Sequence, residues 1–359
     1  MSRSKVQDLD TPCLLLDLAA SERNLARMAE FFRGRACQLR PHFKNHKCVT
    51  LARRQLDAGS AVGITCAKLG EAEVLSEAGF EDLLIANQVV GKRKIERLVR
   101  VASQSRIGVA VDDLGQASEI AAAARASAGV VGILVEVDIG MGRCGVPGGD
   151  PALELVRGVV KLDGIRFDGI QAFEGHIVYL DDADERAKLA RESLAIAVDT
   201  RKLIEADGIP VGVISGGSSS TYAATGAIVD VDELQAGTYA TMDWRYHELV
   251  PEFEIALTVL ARVISKRDGA AVLDVGVKGA GGEFGPPRVV DFPDAEAPFF
   301  LSEEHLMIRN APREWNVGHA IELYSSHACT TCNLYREMVL RDGDEVIGRW
   351  PIEGAGRLA

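Results

Sequence analysis

The chain has 359 residues, 47% of them hydrophobic and 26% charged, with a formal net charge of −12. That composition supports a globular core in one large and one smaller domain and excludes a disordered chain. The acidity argues against non-specific nucleic-acid binding, leaving room for a local basic pocket around a phosphate, and no apolar run reaches the roughly 18–20 residues needed to cross a bilayer.

The opening segment MSRSKVQDLDTP lacks the apolar stretch of a secretory signal. Seven cysteines, at 13, 37, 48, 66, 144, 329 and 332, are scattered along the chain. Such scatter favours reduced thiols and a cytoplasmic protein. Cys13–Leu16 reads as a short strand, followed by a helix with Leu25, Met28, Ala29 and Phe32 on one stripe. Next comes Arg40-Pro41-His42-Phe43-Lys44-Asn45-His46-Lys47, placed where a first barrel strand would end. A lysine among other cations has a lowered pKa, which suits imine formation. The same run also reads as a solvated basic turn.

Short Val/Ile-rich runs then alternate with amphipathic segments. The runs are Ala61–Cys66, Leu83–Ala86, Ile107–Val111, Val130–Ile139, Ile165–Phe173, Val211–Ser215 and Ile228–Leu234. Apolar residues at consecutive positions are the pattern of strands covered on both faces. Ile95, Leu98, Val99 and Ala102 mark one intervening helix, and Ala190, Leu194, Ala197 and Val198 another. About eight such units fit a (β/α)8 TIM-type barrel, with an open doubly wound sheet as the alternative.

Several strand ends carry polar motifs. Gly140-Met141-Gly142-Arg143-Cys144-Gly145 presents one arginine among glycines, suited to a cofactor oxygen or a substrate carboxylate or else a tight surface turn. Phe173-Glu174-Gly175-His176 follows the Ile165 strand, and its histidine is within reach of a barrel mouth. Ser215-Gly216-Gly217-Ser218-Ser219-Ser220-Thr221 offers amides and hydroxyls to an anion, though such loops are also plain connectors. Glu233-Leu234-Gln235-Ala236-Gly237-Thr238-Tyr239 follows the next strand and adds donors to the same place.

After about residue 250 the texture becomes β-rich. Ile255–Lys266, Ala271–Val277, His319–Ser325, Tyr335–Arg341 and Glu345–Trp350 read as strands, with Asp342-Gly343 as a hairpin turn. Cys13–Leu16 is expected to join them. Within Ser326-His327-Ala328-Cys329-Thr330-Thr331-Cys332, an extended backbone would turn His327 and Cys329 to one side. Imidazole and thiolate suit zinc, while a buried histidine beside inert thiols is the plainer possibility. His305 is a lone loop histidine.

Together these segments resemble the fold-type III pyridoxal-phosphate enzymes, in the branch of the D-threonine aldolases, D-3-hydroxyaspartate aldolases and D-serine dehydratases. The Arg-Pro-His-x-Lys run, Val135–Gly145, the Gly216-Gly217 loop, Glu233–Gly237 and His327-x-Cys329 carry the likeness, which runs from Asp10-Thr11-Pro12 to the last strands. It implies an alanine-racemase-like barrel over residues 18–250, with a β domain formed by residues 1–17 and 251–359. It places pyridoxal 5'-phosphate as a Schiff base on Lys44. Cofactor contacts fall on Arg143, Gln171, Ser215, Gly216, Gly217, Ser218, Ser219, Gly237, Thr238 and Tyr239. A divalent metal (zinc, manganese or magnesium) falls on His327 and Cys329, and the likeness further implies a homodimer.

The resemblance implies a lyase for D-β-hydroxy amino acids. Retro-aldol cleavage to glycine and an aldehyde is the leading expectation, because Cys66–Glu73, Asn87–Gly91, Gln171–Phe173 and Asn333–Tyr335 look like the aldolases. Dehydration to a 2-oxo acid and ammonia is the alternative, because aldolases usually carry His-x-Asp where this chain has His-x-Cys. A racemase or a non-catalytic cofactor-binding protein fits less well, since neither needs a metal pair. Lys44, Arg143 and His176 are the expected catalytic residues, and Glu174 and His176 are expected to line the substrate's side-chain region.

Overall fold

Residues 131–137 are buried at every position, as a strand covered on both faces must be. The computed structural model describes residues 4–298 and 302–359. From the N-terminus the chain forms β1 (Cys13–Asp17), α1 (Leu18–Phe32), β2 (Gln38–Leu39), α2 (Val49–Asp57), β3 (Ile64–Cys66), α3 (Leu69–Glu77), β4 (Asp82–Gln88), α4 (Lys92–Ala102), β5 (Arg106–Val111), α5 (Leu114–Ala126) and β6 (Val131–Asp138). It continues through β7 (Val146–Pro147), α6 (Asp150–Val159), β8 (Ile165–Ala172), α7 (Ala183–Ala206), β9 (Val213–Gly216), α8 (Tyr222–Thr225), β10 (Glu233–Leu234) and α9 (Trp244–Leu249). The last elements are β11 (Leu257–Arg267), β12 (Ala270–Leu273), β13 (Arg288–Val289), β14 (Leu306–Arg309), β15 (Ala320–Tyr324), α10 (Ala328–Leu334), β16 (Glu337–Asp342) and β17 (Glu345–Pro351). Two compact units result: Ala29–Lys44, Ala52–Gly237 and Arg357–Ala359 make the barrel unit, and Met1–Met28, Asn45–Leu51 and Thr238–Gly356 make the β unit.

In the barrel unit, parallel strands follow the order β2-β10-β9-β8-β6-β5-β4-β3. Parallel bridges Leu39–Ala61 and His42–Thr65 join the two ends of this row. The intervening helices bury the stripes read from the sequence: Ile95, Leu98 and Val99 in α4, and Ala190, Leu194, Ala197 and Val198 in α7. Asp113 and Asp182 cap α5 and α7 by accepting amide protons from Gln116 and from Asp184 and Glu185, which satisfies first-turn donors that the helix itself cannot.

The expected strand Ile228–Leu234 shrinks to Glu233–Leu234. Ile228 and Val231 instead donate to Thr225 and Ile228 carbonyls in successive turns, and Val229 is 81% exposed. An apolar run therefore mimicked a strand where the chain makes a loop.

Arg40 is 7% exposed. Its Nε and Nη2 donate to the Glu233 carboxylate at 2.8 and 2.7 Å, and its Nη1 donates to Asp82 at 2.7 Å. Gly63 makes room for it, since a Cβ there would lie 2.3 Å from Nη1. Arg40 is thus matched in charge by two carboxylates.

The β unit is built on the sheet order β13-β15-β11-β1-β16-β17, with β12 pairing β11 and β14. β1 lies antiparallel to β11 and parallel to β16. β16 and β17 form an antiparallel hairpin, with Gly343 at its turn in the left-handed region, φ 54°.

Candidate active site

Strands β2, β8, β9 and β10 run parallel in the barrel, so the segments that follow them emerge at one end, the C-terminal face where such barrels carry chemistry. After β2 the backbone stays tied to the barrel: His42 N–H donates to Ala236 O and Phe43 N–H to Thr65 O. The chain is buried throughout residues 41–48 except at Lys44, which is exposed. Lys44 Nζ lies 5.6 Å from the centre of the Phe173 ring, and Arg143 Cζ lies 5.5 Å from the same ring. The structure therefore brings together two of the expected catalytic cations around one aromatic side chain just past β8.

Arg143 is half exposed, and its Nη2 lies 3.9 Å from Glu136 Oε1 on β6. Burial pushes the Glu136 carboxyl above its usual value, opposed by a hydrogen bond from Gln88 and the charge of Arg143. The loop carrying Arg143 is folded by Asp138, whose Oδ1 accepts the Gly140 and Gly142 amides, both at 3.0 Å. Those amides hold Asp138 below the ordinary carboxylate range. Gly140 sits at φ +123°, and a Cβ on it would lie 3.0 Å from the His176 ring. His176 is exposed, with Nε2 3.3 Å from Ser193 Oγ on α7.

Gln171 and Ser215, at the ends of β8 and β9, meet through a residue not singled out from the sequence. Gln235 Nε2 donates to Gln171 Oε1 at 2.7 Å and to Ser215 Oγ at 2.8 Å. This buried amide network ties three adjacent strand ends together.

The Gly/Ser loop corrects a second expectation. Glu174, fully buried, does not line a substrate pocket but lies beneath this loop. Its Oε2 accepts the Gly217 amide at 3.1 Å, and its Oε1 accepts the Thr221 and Thr225 hydroxyls at 2.8 and 2.9 Å. Ser218 N–H is satisfied by Thr221 Oγ1 and Ser220 N–H by Ser218 Oγ. The Gly217 amide is therefore directed at Glu174. Gly217 itself has φ +83°, and a Cβ would fall 2.6 Å from Leu234 Cδ1. Ser218 and Ser219 sit in the same turn. An exposed primary amine, a neighbouring arginine and a hydroxyl-rich turn at one barrel end are the donor set a phosphorylated aldehyde cofactor needs, so these residues fit pyridoxal phosphate. Gly237 closes the barrel unit's main run, while Thr238 and Tyr239 belong to the β unit. There they start a 3-10 turn in which Thr238 O accepts from Thr241 and Met242, and Tyr239 packs edge-on to Phe253 at 6.1 Å.

Within the β unit, Ser326–Cys332 is not extended. His327 is the N-cap of α10 and Cys329 stands in its first turn. Thr331 closes the cap, donating its hydroxyl to His327 O at 2.8 Å. The fully buried Asp243 supports both α9 and α10, accepting the Tyr246 amide at 2.8 Å and the Ala328 amide at 2.9 Å. Burial raises Asp243 to about 6. Burial opposes charge on His327, yet its hydrogen bond with Cys329 and the charges of Cys329, Asp243 and Glu283 raise it to about 9. His327 and Cys329 thus meet through a helix cap rather than through strand alternation.

His327 Nδ1 is buried with no hydrogen-bond partner, with Glu283 Oε2 3.7 Å away. A buried imidazole nitrogen without a partner, on a ring hydrogen-bonded to a thiol, gives a donor set that fits a zinc-like ion. Among the described residues no group of three or more His, Cys, Asp or Glu is arranged around a metal position, so the remaining ligands of such an ion would come from water or substrate. Cys332 is fully buried, and burial pushes its thiol far above the usual value. His305 is exposed.

A closed parallel barrel with an exposed lysine past its first strand, in one chain with a mixed β sheet, defines the class: alanine-racemase-like two-unit proteins. The chain belongs to the family whose model is described as alanine racemase, N-terminal domain, which matches residues 16–243. Residues 256–341 match a putative serine dehydratase domain. The chain is 36% identical over 356 residues to a D-threonine aldolase of Arthrobacter sp, covering 97% of this chain and 93% of that one. It is 31% identical over 368 residues to a 3-hydroxy-D-aspartate aldolase of Paracoccus denitrificans, covering 99% and 94%. The crystal structure of D-threonine aldolase from Filomicrobium marinum superposes with a TM-score of 0.95 at 35% identity, covering 100% of this chain and 99% of that one.

Proposed function

We propose that the protein is a pyridoxal-phosphate- and metal-dependent lyase that cleaves D-β-hydroxy amino acids to glycine and an aldehyde. The observation that carries this reading is its end-to-end likeness to D-threonine and 3-hydroxy-D-aspartate aldolases. Lys44 would hold the cofactor, with Arg143, Gln171, Ser215 to Ser219, Gly237, Thr238 and Tyr239 as its other contacts. Pyridoxal phosphate held there would supply an electron sink for charge developing at the substrate's Cα. His327 and Cys329 would hold the divalent metal, which would supply Lewis acidity at the β-hydroxyl.

The chain's own groups then do the positioning and proton transfer. Arg143 binds and orients an anionic oxygen beside the Phe173 ring. His176 has Nε2 engaged by Ser193, which fixes its ring and presents Nδ1 as the site for the β-hydroxyl proton. Gly140 keeps the space against that ring open.

Dehydration is the second reading. It is favoured by the thiol at Cys329 and by 30% identity over 349 residues to a D-threo-3-hydroxyaspartate dehydratase of Delftia sp.. A cytoplasmic homodimer belongs to the same proposal; none of the seven cysteines is in a disulfide, and no described helix is long and apolar enough to cross a membrane.

The test is product identification by chromatography after incubating the reconstituted protein with D-threonine and D-3-hydroxyaspartate. Glycine with the matching aldehyde is expected. A 2-oxo acid with ammonia would move the assignment to the dehydratase, and neither pair of products would overturn both. Lys44→Ala is expected to lose the cofactor absorbance near roughly 420 nm.

A further inference from the structure

We infer that Asn45 is a positioning residue for the metal pair: it holds the Cys329 sulfur in place and thereby tilts the site toward zinc over manganese or magnesium. The inference rests on reading His327 and Cys329 as metal ligands.

Asn45 is 1% exposed. Its Nδ2 donates to Cys329 Sγ at 3.6 Å, a normal length for a hydrogen bond to sulfur. Its Oδ1 accepts the Thr241 hydroxyl at 2.8 Å, and Thr241 is itself fully buried. The hydroxyl could donate to or accept from either end of the amide, so the sulfur sets its orientation: a flipped amide would set its carbonyl oxygen against a thiolate that can only accept. Asn45, Thr241 and Cys329 therefore form one chain of contacts assembled from three distant stretches of sequence within the β unit.

A donor aimed at a ligand sulfur does two things. It restricts the sulfur's orientation, and it offsets part of the negative charge a thiolate keeps when it binds a metal. Outer partners of this kind are typically worth about 10- to 100-fold in metal affinity. The benefit is specific to a soft ligand. Manganese and magnesium draw their binding from oxygen donors, so the loss of an N–H to sulfur affects them far less. The residue that makes this site unlike a His-x-Asp pair thus has its own buried support.

The experiment strips the full-length, cofactor-loaded protein of metal and measures zinc and manganese affinity by competition with a chromophoric chelator. Asn45→Ala is expected to weaken zinc about 10-fold or more and manganese less than about threefold. Thr241→Val, which frees the Asn45 amide without touching the sulfur, is expected to change zinc affinity in the same direction by less. In a Cys329→Ala background, Asn45→Ala is expected to change nothing further. The cobalt-substituted protein should show its sulfur-to-cobalt absorption shifted in Asn45→Ala, a signature that a general packing defect would not produce. Zinc affinity within twofold of wild type in folded Asn45→Ala, or an equal loss in the Cys329→Ala background, would overturn the inference. Wild-type protein that takes up no zinc at all would overturn the metal pair itself, and the role of Asn45 with it.

Discussion

Replacing Glu174 should damage cofactor binding even though the side chain is out of reach of solvent. The fully buried carboxylate accepts three hydrogen bonds, from the Gly217 amide and from the Thr221 and Thr225 hydroxyls. In Glu174→Ala the Thr221 hydroxyl can fall back on Ser218 O, 3.5 Å away, which leaves the Gly217 amide and the Thr225 hydroxyl unsatisfied. At about 1–3 kcal/mol per buried group, the loop loses about 2–6 kcal/mol of support. If that loop must be ordered before it can hold a phosphate, the loss appears in cofactor affinity at about 1.4 kcal/mol per tenfold, so at least about 30-fold. Glu174→Gln keeps a carbonyl for Gly217 and an amide that both hydroxyls can accept from, losing charge assistance and the acceptor for the Thr225 hydroxyl proton; its loss of affinity should be smaller than that of Glu174→Ala. Titration of the apoprotein with pyridoxal phosphate, followed by absorbance, reads both variants. Glu174→Ala binding the cofactor within threefold of wild type would refute the claim that Glu174 shapes the loop for its ligand.

Three further outcomes follow from individual contacts. Glu233→Ala removes the bidentate partner of the buried Arg40 and leaves Asp82 as its remaining carboxylate, so denaturant unfolding should show a loss of about 3 kcal/mol; a change below 1 kcal/mol would contradict the pairing. Gly140→Ala forces a Cβ against the His176 ring at a left-handed φ, and should lower kcat while cofactor loading, read by absorbance, stays intact. Burial raises Glu136 above its usual 4.5, so the folded state binds that proton more tightly than the unfolded one. Its contribution is therefore full below pH 4.5 and lost as pH rises through the folded value. Glu136→Gln should accordingly be more stable than wild type at neutral pH, with the difference fading below pH 4.5 in denaturant titrations; an unchanged difference across that window would contradict the assignment.

The barrel was legible because its determinants are local. Consecutive buried positions in Val131–Val137 and the stripes of α4 and α7 repeat with the periods that strands and helices impose. The family resemblance read from Arg40–Lys44, Val135–Gly145 and Glu233–Gly237 is borne out by matches across the whole chain. What stayed hidden depends on partners far apart in sequence. Asp243 caps a helix 85 residues on, and Asn45 meets Cys329 across 284 residues; neither leaves a periodic trace. Ile228–Val231 misled because an apolar run carries no mark separating a buried strand from a loop. Ser326–Cys332 misled because Asp243, the group that caps it as a helix, lies outside the segment. Glu174 stood beside His176 in the sequence, yet its side chain turns under the neighbouring loop while His176 faces out.

The most direct test of the account is a proton NMR time course of the protein, loaded with pyridoxal phosphate and zinc, acting in parallel on D-threonine and L-threonine. Growth of glycine and acetaldehyde signals from the D-isomer alone, abolished by a chelator and restored by added metal, is the expected result. Equal turnover of both isomers, interconversion of the two without cleavage, or cleavage that survives complete metal removal would contradict it.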